Sequence, residues 1–434
     1  MRTPIYDFLS SYGGSGIARF HMPGHKGQKR LGIEAFDITE IKGADVLYTP
    51  DGIIAESREN ASKIFDTAAT YYSTEGSTLA IKAMLATAMR ERRPEATKTV
   101  LAARNVHRAF VNAAALLDLD VEWIYPSEST HLVACNISVH DVKKALLSME
   151  TLPFAVYLTS PDYLGNMQDV KRIADLLSEY GIPLLVDNAH GAYLAFLEEN
   201  RHPIALGAAM CADSAHKTLP VLTGGAYLHV SKSFSHYVES ASDMLSLFAS
   251  TSPSYLTLAS LDLCNAYIAD GYTERLKKTV SRLDELKRKH SLSLDVDPLK
   301  LVIKAQIADR LRAWGIECEF SDDEYTVLMV TPDNTDDELS KLDRALAQLL
   351  DGGVGKVSYP APALNSRRVM SIREAVFSKH ESVQTDDAIG RVLATAAISC
   401  PPAVPIAVSG ELITDAHAEL FKRYGINTVE VVKN

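Results

Sequence analysis

A chain of 434 residues with 47% apolar content can bury a sizeable core, and its length is that of two or three structural domains rather than one. Lys and Arg number 44 against 55 Asp and Glu, a formal charge of −11 with no basic run, which argues against nucleic acid or an anionic membrane as a partner. The five cysteines, Cys135, Cys211, Cys264, Cys318 and Cys400, are scattered and form no CxxC pair, so they read as reduced thiols of a cytoplasmic protein rather than as a zinc site or disulfide frame.

Met1 to Ser10 lacks the basic-then-apolar pattern of a leader, and the apolar stretch 394–408 is broken by Pro401, Pro402 and Pro405. No targeting or membrane-spanning segment is therefore expected. Residues 1–60 read as an N-terminal arm. From 61 to 270 helical and strand-like periods alternate, as a mostly parallel sheet covered by helices requires. The short apolar runs 99–103, 121–125, 154–159, 183–187 and 225–230 are the expected strands, and 77–90, 107–117, 138–149 and 170–180 carry helical spacing. Ser138 with Asp141 makes a capping-box pattern at the head of the third helix, and Gly181 followed by Pro183 ends the fourth. A long helical pattern then runs from Tyr255 toward His290, interrupted near Gly271, where a smaller C-terminal domain (271–434) is expected to begin. Strand-like runs at 301–304, 326–331 and 368–371 and an amphipathic segment at 336–350 make that domain α+β.

Inside the alternating region, the apolar run Leu184-Leu185-Val186 ends in Asp187, and Ser214-Ala215-His216-Lys217 places a lysine thirty residues after that aspartate. Pyridoxal phosphate (PLP) chemistry needs those two residue types: a lysine to hold the cofactor covalently, and a buried carboxylate to keep its pyridine nitrogen protonated. Alone, each fits an ordinary solvated lysine or a helix-capping aspartate. Their order, their spacing and the apolar run point together to PLP. The wording Asp187-Asn188-Ala189-His190-Gly191-Ala192 and Ser214-Ala215-His216-Lys217-Thr218-Leu219-Pro220 resembles the Orn/Lys/Arg decarboxylase family. So do Phe20-His21-Met22-Pro23-Gly24-His25-Lys26-Gly27, Asp37-Ile38-Thr39-Glu40 and Pro401-Pro402-Ala403-Val404-Pro405, and the resemblance covers nearly the whole chain. It implies an α/β protein: a PLP-dependent fold type I large domain with a mostly parallel sheet, plus the smaller α+β C-terminal domain. It also implies the short form of the family, without the N-terminal response-regulator-like domain of its larger members.

A glycine-containing turn entering a helix offers free backbone N–H groups at the positive end of the helix dipole. Gly76, Ser77 and Thr78 are therefore the phosphate candidates; the plainer reading is an N-cap, and the resemblance favours phosphate. Arg104-Asn105-Val106-His107 is similar to the family's Arg-Asn-x-His, which implies that His107 stacks on the cofactor ring. The resemblance further implies Ser214 at the phosphate, His216 near the phosphate or the substrate Cα as a proton carrier, and Ala189 against a face of the ring. His190 would hydrogen-bond the cofactor's 3-oxygen or Asp187. Thr251-Ser252-Pro253-Ser254-Tyr255 resembles the segment that crosses a two-fold interface to the partner's phosphate, which makes Ser252 the crossing candidate. A homodimer with shared active sites, alone or within a higher oligomer, is then the expected assembly. A Pro-capped helix start is the other reading of that segment, and both can hold. Tyr163, in the loop after 154–159, is a substrate-contact candidate or a core residue; His25 and Lys26 are further substrate candidates.

Lys217, Asp187, His107 and His216 make up the expected catalytic set, and PLP-dependent decarboxylation of arginine, lysine or ornithine is the expected reaction, with a small amino acid as the ligand. The alternatives are an aminotransferase or other PLP lyase on the same fold, and a non-catalytic protein that keeps the fold. Many family members have Asp-Glu-Ala-His-Gly-Ala-His where this chain has Asn188 and Tyr193, and a lysine where it has Arg108. His131, His140, His202, His229 and His236 lack metal-ligand spacing such as HExxH and read as solvated or core residues, so no metal is expected. No Gly-x-Ser-x-Gly elbow, Walker loop or dinucleotide fingerprint competes with the PLP reading.

Overall fold

The computed structural model describes residues 1–127, 131–351, 366–398 and 403–433. In chain order its first strands are β1 (Ala69–Ser73), β2 (Thr99–Ala103), β3 (Asp120–Ile124), β4 (Ala155–Thr159), β5 (Leu184–Asp187), β6 (Met210–Asp213) and β7 (Ala226–Val230). The helices around and after them are α1 (Pro4–Gly14), α2 (Ile53–Ile64), α3 (Gly76–Arg90), α4 (Arg108–Leu117) and α5 (Val139–Ser148). Next come α6 (Val170–Tyr180), the single turn α7 (Ala215–Thr218), α8 (Val238–Phe248), α9 (Tyr255–Ala269) and α10 (Tyr272–Lys289). Two compact units divide the chain: Met1–Arg92 with Pro183–Lys277, and Arg93–Ile182 with Lys278–Asn434. This grouping runs across the segment boundaries expected near 60 and 270, and α10 continues from one unit into the other.

In the first unit the strands lie in the order β1, β7, β6, β5. β5 and β6 are parallel, whereas β7 is antiparallel to both β6 and β1. The register sets Asp187 opposite Ala212, Asp213 opposite Tyr227 and Ser73 opposite Ala226. The last residues of β1, β5 and β6 therefore share one sheet edge, which is where ligands bind in open α/β folds. Every residue of β5, β6 and β7 is buried, as strands covered on both faces require. α3 leaves that same edge and buries Leu79, Ile81, Met84 and Leu85. α1 packs with α2 and α9. Gly271, with φ of +72°, breaks the long C-terminal helix into α9 and α10 as its position predicts.

In the second unit β4, β2 and β3 run parallel in that order. Ser138 heads α5 with both halves of a capping box, and Gly181 closes α6 with φ of +62°. The chain later forms a three-stranded sheet from Lys300–Ile303, Thr326–Met329 and Phe320–Ser321, the helix Asp336–Leu350, and a pair between His380–Gln384 and Thr428–Val432. Leu132, Phe320, Leu393, Ile406, Phe421 and Val431 form one buried cluster there. The strand expected at 368–371 is a correction: Arg368 makes a single bridge to Glu411, while Ser371 caps the helix Ile372–Phe377 through a box with Glu374. A serine followed three residues later by glutamate outweighs a short apolar run. Pro401 and Pro402 of the proline-rich motif, and Cys400, lie outside the described residues. Among the described residues, Cys135, Cys211, Cys264 and Cys318 are free thiols, and no helix is long and apolar enough to cross a membrane.

Candidate active site

β5 delivers Asp187, only 2% exposed, to the sheet edge, where its Oδ1 accepts a hydrogen bond from Ala189 N–H at 3.2 Å. The chain then turns tightly, with Gly191 N–H donating to the Asn188 carbonyl at 2.8 Å. Gly191 is required here: a Cβ at this position would lie 2.0 Å from Asn188 Oδ1. The turn leaves Ala189 partly open and buries Asn188 and His190. From the neighbouring strand β6 the chain passes through Ser214 into α7, which carries His216 and Lys217, both half-buried. Lys217 Nζ lies 2.9 Å from His190 Nε2, so the lysine meets the turn that also carries Asp187. An ammonium at Nζ donates to that nitrogen, which places the proton of a neutral His190 on Nδ1.

His216 Nδ1 is 2.9 Å from the Gly225 carbonyl. A carbonyl only accepts, so Nδ1 carries the hydrogen and the neutral ring holds its lone pair on Nε2. Ser214 Oγ donates to Ser77 Oγ at 2.8 Å, which ties the start of α7 to the first turn of α3. That turn suits an anion. Gly76 has φ of +71° and would have nothing within 4 Å of an added Cβ, and α3 has no acidic residue in its first turn. The Glu75 carboxylate is turned aside, accepting from Ser250 N–H at 2.8 Å. Ser77 and Thr78 are half-buried beside this opening, and Ser252 is exposed just beyond Ser250.

The site residues of the second unit are built independently. His107 caps α4, its Nδ1 accepting from Ala109 N–H at 3.1 Å, which leaves Nε2 as the protonated nitrogen of the neutral ring. Arg104, 1% exposed, anchors the same turn by donating to the Pro405 and Ile406 carbonyls at 2.9 and 3.1 Å. Tyr163 meets Phe320 edge-on with centroids 5.7 Å apart and packs on the buried cluster. In the first unit, His25 Nε2 contacts Asp37 Oδ2 at 3.1 Å and Lys26 Nζ donates to the His21 carbonyl at 2.6 Å, so the two are engaged within their own arm.

One group escaped the sequence reading. Asp213, the last residue of β6, accepts from Asn188 Nδ2 at 2.8 Å and lies 2.9 Å from His202 Nε2 and 3.3 Å from His229 Nε2. Burial alone would raise its pKa, but the two imidazoles hold the carboxyl well below the usual carboxylate range. This gives Asn188 a reason: facing a carboxylate, an amide supplies a donor where an acidic side chain would supply a second charge. Cys211 and Asp213, two apart on a strand, share a face by the two-residue period, and that was the one signal available.

The residues fit the expected cofactor. A lysine, a buried carboxylate on the adjacent strand, and a glycine-led helix start with two serine hydroxyls converge on one sheet edge of one unit. Residues 3–335 match the Orn/Lys/Arg decarboxylase major domain, and residues 357–426 match the C-terminal domain of that family. The chain is 30% identical to Uncharacterized protein YaaO of Bacillus subtilis (strain 168), over 98% of this chain and 94% of the relative. It is 27% identical to an arginine decarboxylase of Bacillus anthracis, over 97% and 92%. Among solved structures it is similar to the Francisella novicida lysine decarboxylase LdcF, with a TM-score of 0.82 at 16% identity over 99% of this chain and 81% of the other. The constitutive lysine decarboxylase of E. coli superposes with a TM-score of 0.79, also at 16% identity, over 100% and 82%.

Proposed function

The chain belongs to the Orn/Lys/Arg decarboxylase family, and from that membership we propose that it converts a basic amino acid, arginine, lysine or ornithine, to the corresponding amine and carbon dioxide. It is a PLP-dependent amino acid decarboxylase, and its fold is the α/β fold type I of PLP enzymes with a smaller α+β C-terminal part. The observation that carries the reading is the meeting of Lys217 with the turn behind Asp187, at 2.9 Å from His190.

PLP, when bound, supplies an electron sink for the bond that loses carbon dioxide. Lys217 would hold it covalently and Asp187 its ring nitrogen, with Gly76, Ser77, Thr78 and Ser214 at its phosphate, Ala189 and His107 against its ring, and His190 at its 3-oxygen. Asp187 is suited to holding a proton on that nitrogen because it is buried and ionic attraction is strong where water is excluded. By accepting a hydrogen bond from the Lys217 ammonium at 2.9 Å, His190 would hold Nζ at this turn. Lys217, or His216 once its Nε2 has taken up a proton, would supply the proton that Cα gains in place of the carboxylate. The resemblance offers Tyr163, His25 and Lys26 for the substrate side chain, roles for which they would have to leave the packing and hydrogen bonds described above, and Ser252 for the phosphate of a second copy in a homodimer. The reduced thiols suit a cytoplasmic enzyme.

The test is amine formation from arginine, lysine and ornithine offered separately with PLP, with and without a 2-oxo acid. One amine formed without the oxo acid is the expected result. New amino acid appearing only when the oxo acid is present would replace this reading with transamination.

A further inference from the structure

The buried group at the end of β6 has the composition of a metal site. His202 Nε2, Cys211 Sγ, Asp213 and His229 Nε2 each offer one ligand atom, and all of these atoms lie within 4.8 Å of one another. Sγ is 3.8 Å from His202 Nε2 and 3.7 Å from Asp213 Oδ1, and Asp213 Oδ2 is 2.9 and 3.3 Å from the two imidazole nitrogens. Tetrahedral zinc with its usual bond lengths holds its ligand atoms about 3.3 to 3.6 Å apart, so small shifts would close this set around an ion. Topology brings the donors together: Cys211 and His229 are direct partners in the β6 to β7 register, and Asp213 follows on the same face.

Proton accounting points the same way. Thr67 Oγ1 donates to the Ser62 carbonyl at 3.5 Å, Thr67 and Thr70 share a hydrogen bond at 2.9 Å, and Thr70 Oγ1 lies 2.9 Å from His229 Nδ1. If each hydroxyl donates onward along this chain, His229 Nδ1 carries the hydrogen and Nε2 keeps its lone pair. That Nε2 is buried and faces a carboxylate oxygen of Asp213 at 3.3 Å. With its lone pair in place, that nitrogen and the carboxylate need a proton or a metal cation between them in a dry site, and the same atoms serve either. Outer contacts of the kind that orient metal ligands are present: Thr70 Oγ1 meets His229 Nδ1 at 2.9 Å and Asn188 holds Asp213 Oδ1 at 2.8 Å. The Phe65 ring closes the site, 4.5 Å from His229 and 5.7 Å from His202 by centroids. Among the described residues, the ion-pair partners of Asp213 are these two imidazoles, with no lysine or arginine.

We propose that His202, Cys211, Asp213 and His229 bind one divalent transition-metal ion of the zinc class as a closed structural site beneath the turn that carries Asp187. Four protein ligands and full burial leave no open position, which separates this role from metal catalysis.

Metal analysis of the full-length PLP-loaded protein, after zinc loading and dialysis against metal-free buffer, tests the proposal. About one zinc ion per chain should be retained, and a chelator should lower the melting temperature. Protein purified with cobalt should show thiolate charge-transfer and intense tetrahedral ligand-field bands in a difference spectrum against the zinc form. Cys211→Ser should lose the thiolate band and His229→Gln the tight stoichiometry. Should either variant fail to fold, the cobalt spectrum of the wild-type chain decides alone. The proposal is overturned by wild-type protein that retains no metal and melts unchanged with zinc or chelator, by metal retained equally in both variants, or by a cobalt spectrum without thiolate ligation. None of these readouts depends on which amino acid is decarboxylated.

Discussion

The roles proposed for Lys217, holding the cofactor, and for Asp187, tuning it, can be separated by substitution. Lys217→Ala should remove the visible absorbance of bound cofactor and lower turnover by at least ~10³-fold. Asp187→Asn keeps the shape but loses the charge proposed to face the ring nitrogen, so cofactor should still bind while kcat falls roughly 10²- to 10³-fold. A Lys217→Ala enzyme active at the wild-type rate would sink the assignment of both. Asn188→Asp makes a comparable test of the buried side of the turn, because it changes a donor to an acceptor at constant shape. With Asp213 Oδ1 2.8 Å away, the loss should be about 2 to 4 kcal/mol of unfolding free energy in a denaturant titration, and no loss at all would mean the amide is not holding Asp213. A third residue sets a pH dependence. His417 is fully buried in the second unit, and burial, with the Arg104 charge adding to it, pushes its imidazole down to about 4. A histidine kept neutral in the fold contributes stability that is present above its unfolded pKa of about 6.5 and is lost as pH falls toward 4, on the order of 3 kcal/mol in all. His417→Gln, which retains a side chain suited to the capping box with Thr414, should flatten that acid limb in a comparison of denaturation curves at pH 7 and pH 4.5.

Among the elements, α1 shows how the N-terminal arm is held. Its N-cap, Thr3, makes no side-chain capping bond. The orphan N–H groups of Ile5 and Tyr6 instead donate to Asp262 Oδ2 on α9 at 2.9 and 3.1 Å, and Ser57 Oγ on α2 donates to Oδ1 at 2.6 Å. One carboxylate thus joins three helices of the first unit. Asp262→Ala should cost about 1.5 to 3 kcal/mol and make the first residues sensitive to protease; an arm as resistant as in wild type would show that apolar packing of Ile5 and Leu9 suffices. No local sequence rule announces such a cap, since the partners are 257 residues apart. What local rules do announce was legible: the box at Ser138, the glycine end of α6, the break at Gly271, and strands with branched apolar runs such as β2 and β5. β1 and β6 were not. β1 is Ala-Thr-Tyr-Tyr-Ser, whose buried hydroxyls read as polar, and β6 is Met-Cys-Ala-Asp, four residues without a β-branched one. Missing β6 also hid the Cys211, Asp213 and His229 group, because only the strand register makes those residues neighbours. Lys217 and Asp187, proposed for the cofactor, stood out for the opposite reason: Asp187 ends β5 and Lys217 lies in the single turn that follows β6, where sequence order and spatial order coincide.

At the scale of the whole molecule, the role given to Ser252 distinguishes a shared active site from two separate ones. The residue is exposed, on the segment that follows Ser250, while the Ser250 N–H holds the Glu75 carboxylate away from the α3 N-terminus. If Ser252 serves the phosphate of a partner copy, a Ser252→Asp chain damages its partner's site by charge repulsion and leaves its own lysine usable. A Lys217→Ala chain does the reverse: it loses its own site but still offers Ser252. Each variant alone should be nearly inactive. Co-expressed in equal amounts, they should form mixed dimers in about half of cases, each with one intact site of two, and so recover about a quarter of wild-type activity. If Ser252 acts within its own chain, every Lys217-bearing site in the mixture also carries the aspartate and co-expression restores nothing. Recovery near a quarter therefore requires both that the enzyme be at least a dimer and that the segment cross between subunits.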